Sequence, residues 1–498
     1  MRYGAALLIL LALGGCKPAA PAPPAPTTPR PVAEVTILFT NDEHGWLLAH
    51  DEKHSTLGGA AEVLGQWVRD EGHCPGPPSP PCADPRTLAL SGGDNYTGPA
   101  ISSYFTGAPM AEAMARMGYA ASAFGNHEFD FGRAAFLENR RKSGMVYLAA
   151  NLRAPAGMTE MALPASAIVE RRGIKIGVVG LATDTTLRAA MASRFEGITF
   201  EAEEPALDRG VHEAWAAGAD AVVAIVHECP DLLVPIVARH PEWKLAFVGA
   251  GHCHKKMVER AGTVPVIAPG WRLDRYARVR LQVDPSRPVG ERVVAVDPVV
   301  VEVAHPEGAS PTAPPDAILT SMAAAWKEKV DAALGEEIGW AGAPLEKESA
   351  EIGRWITGAW RAELGAEVAL VNRQGIRQSL PQGAITKASV WSVLPFDNKI
   401  VMLKMKGAAL THTLEADDAV SGGVERAGNG VWRIGGKPLD PERVYSVATI
   451  DYLYYGGHMG LSHALSAEDQ GVDWREPIIA WTRKQRSSKD TPLEQRLH

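Results

Sequence analysis

"ASAFGNHEFDFG", residues Ala121 to Gly132, sets an amide, an imidazole and two carboxylates directly behind an apolar run. Asn126, His127, Glu128 and Asp130 are each costly to bury without partners. A solvated loop is one reading of the stretch; a site built at the end of a buried strand is the other. The rest of the chain decides between them, because the same order recurs. "EVTILFTND" leads to Asp42 and His44, "TLALSGGDN" to Asp94, "DAVVAIVHE" to His227, and "LAFVGAGHCH" to His252 and His254. Open α/β sheets build their sites just beyond the carboxyl ends of their strands. Five such ends carrying five His, two Asp and one Asn exceed what turns alone require.

Further apolar runs ("VYLAANL", "IKIGVVGLAT", "VPVIAPG") alternate with helical segments through the first half of the chain. That alternation reads as an α/β fold with helices on both sheet faces. "RYARVRLQV" alternates like an amphipathic strand. "PEGASPTAPP" (306–315) breaks the pattern, and "DAILTSMAAAWKEKVDAAL" after it has helical spacing. The expected division is a first domain over 33–305, a linker and connecting helix over 306–334, a second domain over 335–487 and a tail over 488–498. The second domain mixes helix ("SAEIGRWITGAWRAEL") with short strands ("EVALVN", "KIVMLKM", "VYSVATI").

A chain of 498 residues with 46% hydrophobic and 22% charged residues suits two or three domains with substantial cores. Its net charge of −8 argues against a nucleic-acid polymer or an anionic membrane surface as partner. Residues 1–16, "MRYGAALLILLALGGC", hold one basic residue and an apolar stretch too short to span a bilayer, the pattern of an export signal. The "LGGC" ending resembles a bacterial lipoprotein signal. It implies a lipid on Cys16 that anchors the chain to the cell envelope, facing the periplasm or the cell surface. Residues 17–32 are rich in Pro and Ala and read as an extended tether. Export implies an oxidising compartment. Cys74 and Cys82 flank "PGPPSPP" and are expected to close that loop. A bridge between Cys229 and Cys253 is the other, less supported pairing.

Carboxylate, imidazole and amide oxygen together suit Zn, Mn, Co or Fe better than a thiolate zinc site does. The ligands are too many for one tetrahedral ion and about right for a pair. One Asp bridging two cations about 4 Å apart is the arrangement that activates water and clamps a phosphoryl group.

Taken in order, "TNDEHG", "GGDNYTG", "GNHEFDFG", "VHE" and "GHCH" resemble the calcineurin-like metallophosphoesterases, and more closely the bacterial 5′-nucleotidase / UDP-sugar hydrolase group. The resemblance implies a metallophosphoesterase domain with a β-sandwich core flanked by helices, and an α+β substrate domain behind it. It implies two divalent ions (Zn, Mn, Co or Mg), one held by Asp42, His44, Asp94 and His254. The other would be held by Asp94, Asn126, His227 and His252. His127 matches the catalytic histidine and Asp130 the carboxylate that orients it, while Glu128 is assigned no chemistry. "VNRQGIRQSLPQGAIT" and "LPFDNKIV" match the substrate-domain signature, which puts Asn372 and Arg377 on the substrate and Phe396 on a base. "IDYLYYGGHMG" supplies Tyr452 as the opposing aromatic. Two positions depart from the pattern. His458 stands where an aspartate often grips ribose, and Leu345 and Lys347 stand where many members supply an arginine.

The implied function is an exported two-metal phosphohydrolase, a 5′-nucleotidase that splits nucleoside 5′-phosphates and nucleotide sugars. The alternatives are a cyclic-nucleotide phosphodiesterase or a sulfur-compound hydrolase of the same superfamily. A non-catalytic surface lipoprotein is the reading from another class, and the intact ligand set argues against it.

Overall fold

The computed structural model describes residues 31–497 apart from 81 and 429. The export signal, Cys16 and the tether up to residue 30 lie outside the described residues. Among the described residues no helix is long and apolar enough to cross a membrane.

The first part of the chain builds two six-stranded sheets. Its main strands are β1 (Ala33–Thr40), β2 (Thr87–Ser91), β3 (Tyr119–Ala123), β4 (Val146–Leu148), β5 (Ser166–Arg171) and β6 (Ile174–Ala182). They continue with β7 (Ala221–His227), β8 (Leu245–Ala250), β9 (Lys256–Ala261), β10 (Val264–Pro269), β11 (Arg275–Val283) and β12 (Val293–Glu302). One sheet runs β12-β11-β1-β2-β3-β4 and the other β9-β10-β8-β7-β6-β5. Both have a parallel centre, with antiparallel pairing confined to β1/β11/β12 in one and to β9/β10 and β5/β6 in the other.

The side chains explain how the sheets stack. β7 and β8 are buried along their whole length, so both faces must be covered. Val35, Ile37, Phe39, Leu88 and Leu90 of the first sheet share one apolar cluster with Ile176, Val178, Val223, Ile225 and Phe247 of the second. The outer face of the first sheet is covered by α1 (Ala60–Glu71), α2 (Ala108–Met117) and α3 (Gly132–Ser143). That of the second is covered by α4 (Glu203–Ala216) and α5 (Pro230–Arg239). Each sheet thus has helices on one face only, and its other face meets its partner sheet. This is the sandwich the resemblance implies, where strand–helix alternation alone suggests helices on both faces.

Register brings the strand ends level. Thr40 lies beside Ser91, and Ser91 beside Ser122, so the segments after β1, β2 and β3 leave from one edge. Val226 lies beside Ala250, which does the same for the segments after β7 and β8.

The helix α6 (Ala317–Leu334) begins at Asp316, whose side chain accepts the Leu319 amide. The same carboxylate pairs with Arg116 of α2 at 2.7 Å. Leu319, Ala323, Val330 and Leu334 complete the cluster outside the first sheet. The second part of the chain packs α7 (Ala350–Leu364), which starts at a Ser349 cap, against a five-stranded sheet. In chain order its strands are β13 (Val368–Asn372), β14 (Lys399–Lys406), β15 (Ala419–Gly422), β16 (Val444–Ile450) and β17 (Ser466–Asp473), arranged β15-β13-β16-β14-β17. The edge strand β17, "SAEDQGVD", has no apolar alternation and takes its conformation from pairing with β14.

Candidate active site

The ends of both sheets converge on one group of side chains. Asp42, Asp94 and Asn126 come from the first sheet, and His227, His252 and His254 from the second. Single donor atoms from Asp42, His44 and His254 lie within 4.8 Å of one another, and so do atoms from Asp94, His227 and His252. Asn126 Oδ1 belongs with the second group, 3.1 Å from His227 Nε2 and 3.0 Å from His252 Nδ1. Asp94 Oδ2 joins the two, at 3.2 Å from His227 Nε2 and 3.8 Å from His44 Nε2. Glu228, Cys229 and His252 also cluster, but Cys229 is bonded to Cys253 and is not available as a ligand.

The backbone is bent hard to achieve this. Asp42, His44, Asp94, His252 and His254 all have left-handed φ, between 45° and 68°. Non-glycine residues rarely adopt that region, and where they do the strain tends to mark a functional site. Gly125 allows the second and third segments to meet, since a Cβ there would collide with the Asp94 carboxylate.

Two imidazoles have their tautomer set by the backbone. His44 Nδ1 donates to the Thr97 carbonyl at 2.9 Å, and His227 Nδ1 donates to Gly92 at 2.8 Å. A carbonyl can only accept, so Nδ1 carries the proton and Nε2 is the nitrogen turned to the site. His44 Nε2 and His254 Nε2 face each other at 3.0 Å, and Asp42 Oδ1 is buried with no hydrogen-bond partner. Burial, helped by Arg377, holds both histidines well below the usual imidazole range, and burial lowers His252 to about 4. Burial also disfavours charge on His227, but Asp94, Asp42 and Glu128 outweigh it and raise that ring to about 10. Three imidazoles held neutral, an orphaned carboxylate oxygen and a carboxylate field strong enough to hold His227 as a cation together fit divalent cations.

His127 is outside both groups. Its Nδ1 is 2.8 Å from Asp130 Oδ2, and its Nε2 lies 4.0 Å from Asp94 Oδ2. Burial works against its charged form, but Asp130 and Asp94 raise its pKa above the ordinary value. A cavity of 460 Å³ opens over Asp94, Asn126, His127 and His254. Asn372, Arg377, Phe396 and Tyr452 form its far wall. Arg377 Nη2 reaches to 3.0 Å from His44 Nε2, its own amide bonded to Val393. The Phe396 ring stacks on His127, with centroids 5.2 Å apart and planes at 22°.

Residues 334–464 match the family model for the 5′-nucleotidase C-terminal domain. The chain is 26% identical to protein UshA of Yersinia enterocolitica over 485 residues, covering 85% of this chain and 86% of that protein. It is also 26% identical to a 5′-nucleotidase of Vibrio vulnificus, over 90% of this chain and 89% of that one. Along most of its length the chain is thus similar to 5′-nucleotidases and UshA proteins, hydrolases of the metallophosphoesterase type. Among solved structures, a 5′-nucleotidase precursor from Thermus thermophilus superimposes with a TM-score of 0.76 at 21% identity, covering 92% of this chain and 97% of that chain. A sulfate thiohydrolase, SoxB, also from a Thermus, gives 0.70 at 18% identity, covering 93% and 95%, so the fold alone does not separate phosphate from sulfur chemistry.

The remaining motif residues are placed as follows. Tyr452 lines the cavity, and its hydroxyl donates to the Arg188 carbonyl at 3.3 Å. His458 packs its ring against Tyr452, centroids 4.6 Å apart, and is not part of the cavity wall. Leu345 is buried, and the Lys347 ammonium lies 5.7 Å over the Trp271 ring.

Sequence reasoning missed several contributors. Glu128 accepts from the amides of Asp94 and Asn95, both at 3.3 Å, and so fixes the turn that carries Asp94. Glu43 accepts from Thr40 and from Ser91, tying β1 to β2 just before the site. Both sat inside recognised motifs; their burial beside a carboxylate-rich centre was the available signal. Trp271 stacks on His254 at 4.4 Å and 15°. Arg194 bridges the Phe129 and Asp397 carbonyls, each at 3.2 Å. Arg194 lies in a stretch with no sequence pattern, and Trp271 follows directly on the apolar run "VPVIAPG".

Proposed function

We propose that this hydrolase is an exported, lipid-anchored 5′-nucleotidase that releases phosphate from nucleoside 5′-phosphates and takes nucleotide sugars as further substrates. The observation that carries the reading is the opposition across one cavity of a twin ligand cluster sharing Asp94 and a wall bearing Arg377, Phe396 and Tyr452. A phosphoester whose leaving group carries a flat aromatic base matches both sides at once. The 460 Å³ volume lies within the usual range of small-molecule sites.

Asp42, His44, Asp94 and His254 would hold one ion, and Asp94, Asn126, His227 and His252 the other. When bound, such ions supply positive charge to phosphoryl oxygens and water that ionises near neutral pH. Arg377 presents its planar guanidinium to the phosphate. His127, held through Nδ1 by Asp130, delivers a proton from Nε2 to the departing 5′-oxygen, and the Asp130 charge stabilises the imidazolium until then. Phe396 and Tyr452 take the base between them, and Asn372 hydrogen-bonds the substrate beside Arg377. The metal and substrate residues divide between a first domain over 33–305 and a second over 335–487, joined by 306–334. The signal at residues 1–16 and its Cys16 supply the export and the lipid.

The test is a panel assay of purified protein loaded in turn with Zn, Mn, Co and Mg. Its substrates are nucleoside 5′-monophosphates, 3′,5′-cyclic nucleotides, UDP-glucose and a thiosulfonate ester. Turnover of the 5′-monophosphates well above the rest supports the reading. Preference for the cyclic or sulfur substrates overturns it, and no turnover of any returns the chain to a binding role.

A further inference from the structure

The cysteine pair Cys229–Cys253 is used by nothing above. Cys229 follows His227 by two residues, and Cys253 lies between His252 and His254. The two are bonded, with Cα atoms 5.1 Å apart. One covalent link therefore joins the segments after β7 and β8, which carry three of the seven side chains in the two ligand groups.

The two ends of the link differ in how they are held. Cys229 caps α5, its carbonyl accepting the Leu232 amide at 3.0 Å, and α5 is seated in the outer core through Leu233 and Val237. Cys253 sits between two residues in left-handed conformation, His252 at φ 68° and His254 at φ 54°. Such residues persist only where their surroundings over-determine them. Two more contacts act on the same turn: Lys255 pairs with Asp231 in the first turn of α5, and Trp271 stacks on His254. The ion pair is exposed to solvent and contributes little; the disulfide is the covalent constraint that ties the turn to α5.

We infer that Cys229–Cys253 is a positioning element of the metal centre: it anchors the His252–His254 turn to α5 and so sets the affinity for the ions. It ties ligands of both clusters, so both affinities depend on it. Cys74–Cys82, whose Cα atoms are 6.0 Å apart in a loop remote from the ligands, provides the internal comparison. The inference rests on the two-metal reading and is tested separately from it.

The experiment measures Mn²⁺ and Zn²⁺ affinity of the full-length protein by competition with a chromogenic chelator, with no substrate present. It compares the parent, a Cys229→Ser/Cys253→Ser variant and a Cys74→Ser/Cys82→Ser variant. Outer residues that orient ligands typically change metal affinity about 10- to 100-fold, and that weakening is expected for the first variant alone. Circular dichroism checks that each is folded. If the first variant does not fold, folded parent is reduced, alkylated and freed of reductant, then titrated in the same way. Equal affinity in parent and first variant, or equal losses in both variants, overturns the inference. A parent that binds fewer than two ions overturns the two-metal reading instead.

Discussion

Removing His127 and disarming Asp130 should have effects of different size, and the site's geometry fixes the ratio. His127 is the group placed to carry the proton, so His127→Ala should lower turnover by about 100- to 10,000-fold, the usual range for a general acid or base. Asp130→Asn retains an acceptor for Nδ1, 2.8 Å away in the parent, and removes only the charge. A hydrogen bond to a charged group is worth about 1.5–3 kcal/mol and a neutral one about 0.5–1.5. The difference of about 1–1.5 kcal/mol corresponds to roughly 5- to 13-fold in rate. Because Asp130 acts only through the ring, the double variant should be no slower than His127→Ala. The assay is initial-rate kinetics on a nucleoside 5′-monophosphate under saturating metal, with metal content measured by plasma mass spectrometry. All three variants should keep both ions, since neither residue belongs to a ligand cluster. A double variant much slower than His127→Ala would show that Asp130 has a role independent of the ring, and loss of metal from His127→Ala would refute the assignment.

Asp94→Ala should lose both ions, because its carboxylate joins the two clusters; retention of either by mass spectrometry would contradict that. Phe396→Ala should raise the Michaelis constant for nucleotides roughly 5- to 150-fold, the range for one lost stacking face. On p-nitrophenyl phosphate the effect should be smaller but measurable, because the same ring stacks on His127. Replacing residues 1–32 with a cleavable export signal should give soluble, active protein, and membrane pelleting of that product would point to a second anchor.

The ligand positions were legible because each follows directly on an apolar strand, and strand ends are local features. Asp42, His227 and His252 need no knowledge of the partner sheet to be noticed. How the sheets stack was not legible from periodicity, because a strand buried under a helix and one buried under another sheet have the same apolar composition. The motif resemblance supplied what the pattern lacked. Strand β17 escaped notice because "SAEDQGVD" draws its conformation from β14 rather than from its own residues. Trp271, Arg194 and the seating of His458 on Tyr452 depend on neighbours more than 100 residues away or on a turn's exact path. Local spacing encodes neither.

Because the ligand cluster is assembled from the open ends of both layers, any ion it takes becomes a clasp across the sandwich. Binding to the folded chain alone adds to its stability by mass action, about 2.7 kcal/mol for each site filled at a hundred times its dissociation constant. The sheets share a dry interior along most of their length, through residues such as Phe39, Ile176 and Phe247. Their ends at the site are instead lined with polar side chains, and without a metal ion the His227–Asp94 pair is the main attraction linking the two layers there. Starved of metal, the chain would keep its interior and open first at this rim, exposing the His252–His254 turn to proteolysis. Supply of the ion would then govern how long each molecule survives as well as how fast it works.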